Sequence, residues 1–288
     1  MRSSILWLVP AALVSVHALA EGSRQSEKEI RTIKASASAG QPLTVSTRNG
    51  GVTVVRSDTD QIVVTAELHA KTKDDLAKIE VHASNLPDKG SAVHVKFPDS
   101  SRVSNMGCSL KIEVPRVNGL NIESTNGPID ISDMAGRAVL ETTSGPVTIT
   151  KHDGAVVIET NNAPVQVTDV AGAVAVETTN GPVDLKLHET ATEKFVIATS
   201  NAPVDVSMPK TFNGVLAAGT SNGSISFPTD ADLNKKPSSR GHGEATGQAT
   251  FGKGGPVCTI ETSNGSVQIR YRGDRDDATK KRKPPSTH

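Results

Sequence analysis

Ile122-Glu-Ser-Thr-Asn-Gly-Pro-Ile129 is the first of four matching stretches in the middle of this chain. The other three are Leu140-Glu-Thr-Thr-Ser-Gly-Pro-Val147, Ile158-Glu-Thr-Asn-Asn-Ala-Pro-Val165 and Val176-Glu-Thr-Thr-Asn-Gly-Pro-Val183. The position held by Asn126 recurs at equal intervals at Ser144, Asn162 and Asn180, and then at slightly longer ones at Asn201 and Asn222. It returns at Asn264 after two of the longer intervals. A nearly fixed period of this kind predicts a repeat architecture in which successive coils stack on one another.

Alternation along a strand sends successive side chains of the repeat to opposite faces. Ile122, Ser124 and Asn126 are expected to face inward, and Glu123 and Thr125 are expected to face outward. Each repeat has room for two short strands and two turns. The sequence therefore predicts an all-β protein, a single-stranded β-helix or β-solenoid with coils of about 18–21 residues and a small N-terminal α+β cap.

Stacked coils bring equivalent side chains into columns. Inward amides can bond to the copies above and below, as in other asparagine ladders, and we expect such a structural ladder at Asn126, Asn162, Asn180, Asn201, Asn222 and Asn264. Outward side chains are the candidates for binding, and they form a carboxylate column at Glu123, Glu141, Glu159 and Glu177 beside a hydroxyl column at Thr125, Thr143 and Thr179.

The segments outside the repeats suggest a secreted protein. Residues 1–20 have a basic start, an apolar run and a small-x-small site at Ala18–Ala20, which is typical of a signal peptide cleaved near Ala20. No later apolar run reaches the roughly 20 residues of a membrane span. We expect a flexible leader at 21–29, a domain at 30–271, a disordered tail at 272–288, and a secreted or periplasmic, cell-envelope location.

The segment 56–116 repeats less regularly than the rest of the domain. Thr72 followed by acidic residues predicts one short helix to Lys78, and the β-branched stretches around it predict strands. Because the first coil of a stack has unpaired strand edges, we expect this segment to cover it. A second irregular stretch, Asp230 to Gly255, is expected to be a long loop or a ragged hairpin before the last coil.

Composition limits the partners and the redox chemistry. The chain has 31 Lys and Arg against 31 Asp and Glu, so no overall charge attracts nucleic acid. Aromatic residues make up only 2%, which removes the usual sugar-binding platforms. A disulfide between Cys108 and Cys258 is possible in an oxidising compartment, but coils of about 4.8 Å each would separate them in a monotonic stack. Both states are compatible with the sequence.

Candidate catalytic and metal-binding groups are few. The glutamate column could hold divalent cations, although a solvated row of carboxylates explains it more simply. Asp184 and Asp205 are expected in one outward column, about as far apart as the carboxylates of retaining glycosidases, roughly 5 Å. His69, His82 and His94 have no paired metal-ligand spacing. We predict no catalytic, cofactor-binding or metal residue, and no enzyme activity.

The residues resemble a known family at Thr220-Ser-Asn-Gly-Ser-Ile-Ser-Phe227 and Thr262-Ser-Asn-Gly-Ser-Val-Gln-Ile269. Such phrases after a signal peptide are similar to the extracytoplasmic "putative adhesin" domain of bacteria, over roughly Ile30 to Tyr271. The resemblance implies a β-helix and a domain of unknown biochemical function.

Three functional hypotheses follow from these patterns. The first is a non-enzymatic, monomeric binding or scaffold module that holds a macromolecule, a protein or a glycan, along a flat sheet face. The second is a polysaccharide-active β-helix enzyme, a lyase or hydrolase that uses Asp184 and Asp205. The third is a structural protein that self-associates end to end.

Overall fold

The computed structural model describes residues 14–18, 27–36, 40–86, 90–98, 105–240 and 244–273. The remaining residues of the expected signal peptide, of the leader and of the tail from residue 274 lie outside this description. Nearly all of the described elements are strands, which confirms the all-β class. Within these residues, no helix combines the length and the apolar content that a membrane crossing requires.

The N-terminal part of the described chain holds the strands β1 to β8 and the short helix α1. Their bounds are β1 Val14–Ala18, β2 Glu27–Ser36, β3 Leu43–Ser46, β4 Val52–Arg56, β5 Gln61–Ala70, α1 Lys73–Leu76, β6 Glu80–Leu86, β7 Gly90–Lys96 and β8 Gly107–Val114. The helix expected from Thr72 to Lys78 is present as α1, and the Thr72 hydroxyl caps it by accepting from the Asp75 N–H at 3.1 Å.

The central repeats form β9 to β17. Their bounds are β9 Asn118–Asn126, β10 Ile129–Ser144, β11 Val147–Asp153, β12 Val156–Thr160, β13 Val165–Val170, β14 Val174–Thr178, β15 Val183–Leu187, β16 Phe195–Thr199 and β17 Val204–Met208. The C-terminal strands are β18 Gly214–Thr220, β19 Ile225–Ser226, β20 Asp232–Arg240, β21 Glu244–Phe251, β22 Val257–Thr262 and β23 Val267–Tyr271.

The repeats stack as two rows of parallel strands. The first row contains β3, β9, the second half of β10, β12, β14 and β16. The second row contains β4, the first half of β10, β11, β13, β15 and β17. Register partners follow the intervals of the sequence, the shorter one in Ile129 opposite Val147 and the longer one in Val183 opposite Val204. The repeat interval in the sequence therefore equals the residue offset between register partners on neighbouring strands.

Aliphatic side chains from both rows fill the space between them. Leu140, Ile158 and Ile197 from the first row are buried, and so are Ile149 and Leu185 from the second. Burial of each such side chain contributes about 1.5–3 kcal/mol. Aromatic residues add two ring pairs, with centroids 6.3 Å apart for Phe195 and Phe212 and 6.4 Å apart for Phe251 and Tyr271. The core is a continuous aliphatic column, as the composition indicates.

The last repeat in the sequence is not the last in space. β22 pairs with β16 on one side and with β18 on the other. β23 likewise lies between β17 and β19. A stack that follows chain order is therefore wrong at this end, because residues 257–271 return and insert between two coils that precede them. The irregular stretch before them, expected to be a long loop or a ragged hairpin, contains the antiparallel strands β20 and β21. β21 also pairs with β18.

Strands of the irregular N-terminal segment extend both rows beyond the first coil. β7 pairs in parallel with β3, and β8 pairs in parallel with β4. β5 is antiparallel to β8, β2 is antiparallel to β5, and β6 is antiparallel to β7. β1 pairs with the outer edge of β2. The edges of β3 and β4 that face the N-terminal side are thus occupied by strands of this segment.

The turn after the asparagine position depends on close backbone approach. A side-chain carbon added to Gly145 would lie 2.0 Å from the Gly127 carbonyl oxygen, and its φ is +152°. A carbon added to Gly181 would lie 1.7 Å from the Ala163 carbonyl oxygen, although Gly181 has no positive φ. Glycine is therefore required here as much by the contact between coils as by the backbone conformation.

Both cysteines are free and buried. Cys108 lies on β8 near one end of the stack, and Cys258 lies on β22 near the other. Burial raises the pKa of the Cys108 thiol to about 12, against a smaller opposing effect of Arg31. Of the two states that the sequence allowed, the structure has two separate thiols.

Candidate functional site

The glutamate column exists as a continuous row across neighbouring strands. Glu123 lies opposite Glu141, Glu141 opposite Glu159, and Glu159 opposite Glu177. All four side chains are exposed. Ala198 takes the next position and Glu261 the one after it, because β22 follows β16. The backbone positions of neighbouring glutamates are thus about 4.8 Å apart along the stack, the spacing of paired strands.

The hydroxyl column runs beside the glutamates on the same outward face. Thr125, Thr143 and Thr179 are exposed, and Asn161 fills the position between the last two. The residue between each glutamate and its outward hydroxyl points the other way. The inward side chains of this column, including Thr199 and Thr220 in the repeats that have no glutamate, are all buried: Ser124, Thr142, Thr160, Thr178, Thr199, Thr220 and Thr262. The alternation deduced from the repeat therefore assigns these two columns correctly.

The two outward columns lie in a groove with a volume of about 700 Å³. Its floor is the first row of strands, and its lining includes all four glutamates of the column. Arg48 from the first coil, and His94, Lys96 and Phe97 at the end of β7, line it as well. The sheet face expected as a binding surface is therefore bordered at one end by other elements. The N-terminal segment supplies residues to one part of the groove, and nothing in the repeat itself predicts them.

The electrostatics of the groove are uneven. Within the described parts of the chain, none of the four glutamates takes part in an ion pair with a lysine, arginine or histidine. Basic side chains collect at the N-terminal end, where Lys96 lies 3.9 Å from Glu80. The described residues contain no group of three or more histidine, cysteine or acidic side chains that could hold a metal ion. The groove therefore offers a repeated negative charge with a basic end.

The asparagine column forms a ladder of side-chain hydrogen bonds. Asn180 donates to Asn162 and Asn201 donates to Asn180, each at 2.8 Å. The ladder continues from Asn264 to Asn201 and from Asn222 to Asn264, also at 2.8 Å. All of these side chains are exposed, so the inward orientation expected for them is wrong. In these repeats the strand ends at the inward threonine, two residues before the asparagine, as β12 does at Thr160. The two-residue alternation therefore does not extend to the asparagine, which lies in the turn.

A separate asparagine pair lies at the first coil, because Ser144 lies opposite Asn126 where the ladder would continue. Asn126 donates to the Asn49 side chain at 2.9 Å, and Asn49 forms a bridge with Asn126 in the backbone pairing as well. The isolated early copy of the repeat, Leu43 to Val54, could have identified Asn49, because it carries the same Asn-Gly pair.

Asp184 and Asp205 are register partners on β15 and β17, as the repeat predicts. Arg270 on β23 binds the Asp205 carboxylate, and its Nε donates to the Ser207 hydroxyl at 3.0 Å. The two aspartates border a shallow groove of about 440 Å³ with a rim of prolines at Pro164, Pro182 and Pro203. Asp205 is thus engaged by an arginine in a structural contact between coils.

A third groove, of about 610 Å³, lies at the opposite turns of the repeats. His152 borders it but is buried, with its Nε2 at 2.8 Å from the Gly136 carbonyl oxygen. Burial lowers the pKa of His152, and the Gly136 carbonyl and Asp153 oppose that effect. Arg272 closes this region by donating to the Leu187 carbonyl at 2.7 Å and to Asp169 at 2.8 Å. These contacts belong to the packing of the turns.

The three N-terminal histidines do not form one cluster. His82 and His94 are opposite each other on β6 and β7, whereas His69 lies on β5 with its ring close to Gly107. His82 lies 3.1 Å from Glu80, and both side chains are exposed. These positions give no metal-binding geometry among the described residues.

Comparison with known proteins places the chain in a family context. A family model described as Toastrack DUF4097 matches residues 24–270. No curated protein matches the chain.

Several solved structures are similar to the chain at low identity. A "putative cell adhesion protein" from Clostridium sporogenes shows 10% identity, a TM-score of 0.34, and coverage of 86% of this chain and 100% of its own. A "putative adhesin" from Bacteroides fragilis shows 10% identity, a TM-score of 0.39, and coverage of 84% and 96%. A "putative lipid binding protein" from Parabacteroides distasonis shows 11% identity, a TM-score of 0.34, and coverage of 84% and 97%. Such TM-scores carry no argument about function.

Proposed function

Because the chain belongs to the Toastrack DUF4097 family, we propose that it is a non-enzymatic binding module that acts outside the cytoplasm. The module holds one extended macromolecule along the groove of the first row of strands. The observation that carries this proposal is the groove itself, in which a carboxylate and a neighbouring polar group recur on each coil from Glu123 to Thr179.

The chemistry of the groove favours a partner with repeated positive charge. Four exposed glutamates lie in register at about 4.8 Å, and like charges at that distance repel one another. A cationic partner relieves this repulsion, and the basic residues Arg48 and Lys96 favour an acidic or polar group at the N-terminal end. The groove has one aromatic residue, Phe97, so an extended basic polypeptide fits better than a sugar chain that stacks on rings.

The protein is exported by means of its signal peptide. Residues 1–20 act as a signal peptide that is removed near Ala20, and the mature chain is a monomer in the periplasm, at the cell envelope or outside the cell. Mass spectrometry of the exported protein measures its first residue, and sedimentation at rising concentration measures its oligomeric state. Growth of the sedimenting species with concentration would favour end-to-end association instead.

Two matched double variants test the groove. Thr143→Arg with Asn161→Arg fills the groove on two neighbouring coils. Thr148→Arg with Gln166→Arg adds the same charge on the opposite row, where those two residues are also register partners. Biotinylated mature protein captures ligands from envelope extract and culture medium. We expect the groove variant to lose capture at least about tenfold, which is about 1.4 kcal/mol of binding free energy, and the control variant to retain it.

Equal capture by both double variants would overturn the groove as the binding site. The comparison requires that both double variants melt at about the same temperature as the wild type. We expect this result because all four substitutions are at outward positions. The proposal assigns no catalytic role to Asp184 and Asp205, since Arg270 holds the Asp205 carboxylate. Incubation with polyuronides and β-glucans tests this assignment, and release of reducing ends that depends on Asp184 would contradict it.

A further inference from the structure

β2 is held firmly on one side. It pairs with β5 along its whole length, from Glu27 opposite Ala70 to Ser36 opposite Gln61. Arg31 also anchors β2. Its guanidinium donates to the carbonyl of Leu76, the last residue of α1, at 3.2 Å and to the Ile79 carbonyl at 2.6 Å. These contacts involve no residue of the proposed signal peptide, residues 1–20, so β2 keeps its place when that peptide is removed.

The other edge of β2 is occupied by β1, which precedes the proposed cleavage site. β1 pairs with it in antiparallel register, from Val14 opposite Ile33 to Ala18 opposite Glu29. The signal peptide proposed above contains all of β1. Cleavage near Ala20 therefore removes the strand that covers this edge. Alternate residues within 29–33 direct their backbone N–H and C=O groups toward β1, and these groups lose their ladder partners.

We propose that cleavage of the signal peptide opens this edge, residues 29–33 of β2, as a docking site for one short extended segment of a partner polypeptide. The inference rests on the cleavage that belongs to the proposed function. A strand added to an exposed sheet edge gains affinity from main-chain hydrogen bonds and specificity from alternate side chains. The site is separate from the groove, because it lies on an edge strand and not on the repeats.

The charges on β2 limit what docks. Lys28 and Lys34 are exposed and lie just outside the five residues that β1 covers. Charged side chains on an edge strand oppose indefinite sheet extension. The occupant is therefore a segment of about five residues, with acidic or polar residues rather than basic ones beyond each end.

The same charges argue against a second copy of this chain. A symmetric antiparallel pair centred on Arg31 would place Lys28 of each copy opposite Lys34 of the other. Like charges directly opposite in a sheet are destabilising. The leader segment that occupies the edge has the sequence Val-Ser-Val-His-Ala, which is uncharged apart from its histidine. The partner segment is accordingly an uncharged, extended stretch with β-branched residues at alternate positions.

The test uses mature protein, residues 21–288, and a fluorescent peptide with the sequence of residues 11–20. A second peptide alternates valine and threonine, and a control peptide carries proline at the positions of Ser15 and Val16. Proline has no N–H, so two consecutive prolines remove a donor from either set of alternating ladder positions. We expect half-saturation below about 100 µM for the first two peptides and at least tenfold weaker binding for the proline peptide.

Hydrogen exchange locates the peptide. Protection is expected at residues 29–33 and not in β12 or β14. Ile30→Lys places a charge inside the docking segment and should weaken binding at least tenfold, whereas Thr44→Lys on an exposed position of β3 should not. Equal binding of the proline peptide, or protection only elsewhere, overturns the proposal. Concentration-dependent dimers that Ile30→Lys abolishes would assign the edge to a second copy instead.

The two proposals fail separately. The groove double variant Thr143→Arg with Asn161→Arg should bind the peptide like the wild type, so loss of groove function leaves the edge intact. An exported protein whose first residue precedes Ser15 would retain β1 on the edge and overturn the opening, whatever the groove binds.

Discussion

Asn264 donates its side-chain amide to Asn201 at 2.8 Å, although 63 residues separate them in sequence. Asn222 follows Asn201 much more closely in sequence, yet it is one step further along the ladder and donates to Asn264. The final repeat is therefore enclosed between two coils that are synthesised before it. Coils 195–208 and 214–226 must leave room for residues 257–271 before the stack closes.

Removal of one rung should weaken the stack by a small amount. Asn180 donates to Asn162 and accepts from Asn201, so Asn180→Ala loses two hydrogen bonds. Because the ladder is exposed, we expect a loss of about 0.5–1.5 kcal/mol in the free energy of unfolding, measured by urea denaturation. Asn161→Ala is the matched control, since its exposed side chain forms no ladder bond among the described residues. Equal losses for the two variants would show that the ladder does not stabilise the stack.

The inserted last repeat should depend on Arg270. Its guanidinium binds Asp205 and Ser207 on the neighbouring coil, and the exposed fractions of the Arg270 and Asp205 side chains are 11% and 20%. Arg270→Ala should cost about 3 kcal/mol, because it leaves a partly buried carboxylate without its cation. Arg116→Ala removes an exposed pair with Asp153, 61% and 76% exposed, and should cost at most about 0.5 kcal/mol. Denaturant unfolding measures the stability of both variants. A loss below about 1 kcal/mol in the free energy of unfolding of Arg270→Ala would show that the contact of Arg270 with Asp205 does not hold the last repeat in place.

His152 should make the protein less stable in mild acid. Burial lowers its folded-state pKa below the ordinary value of 6.5, so below about pH 6.5 the unfolded chain binds a proton that the folded chain does not. The free energy of unfolding therefore falls as the pH decreases through and below 6.5, and it is retained above that pH. Met134 and Val170 are the register neighbours of His152, so methionine fits the column.

Melting temperatures at pH 7.5 and 5.5 measure this effect. We expect the decrease to be smaller by about 2 °C or more in His152→Met than in the wild type. His82→Gln, at an exposed histidine, serves as the control and should follow the wild type. Identical decreases in His152→Met and the wild type would show that His152 does not contribute.

The two thiols should react only when the chain unfolds. Burial raises the pKa of Cys108 to about 12 and also raises the pKa of Cys258, and reactivity requires the thiolate. A chromogenic disulfide reagent at pH 8 should detect no rapidly reacting thiol in the native protein and two per chain in denaturant. Absence of thiols in denaturant without reductant would instead establish a disulfide.

Much of the fold follows from local pattern. The constant interval of the central repeats predicts the register of Ile129 with Val147, because identical repeats stack best in register. Alternation predicts that Glu141 is exposed and Thr142 is buried, since a strand has only two faces. The predicted asparagine orientation is wrong for a local reason. Asn126 is the last residue of its strand and the other ladder asparagines lie just beyond theirs, and a turn does not follow the two-residue alternation. The groove was missed because β7, which contributes His94 and Lys96, has no repeat pattern that relates it to Glu123.

The sequence by itself determined the class of fold, the register of the repeats and the faces of the glutamate and threonine columns within the strands, because these depend on periodicity over a few neighbouring residues. Only the tertiary structure decided that β22 and β23 insert between earlier coils, that β7 borders the glutamate column, and that β1 covers β2. Each of these is a pairing between distant strands. Backbone hydrogen bonds join any two strand edges alike, so the choice among edges depends on the whole packed stack and on contacts such as Arg270 with Asp205.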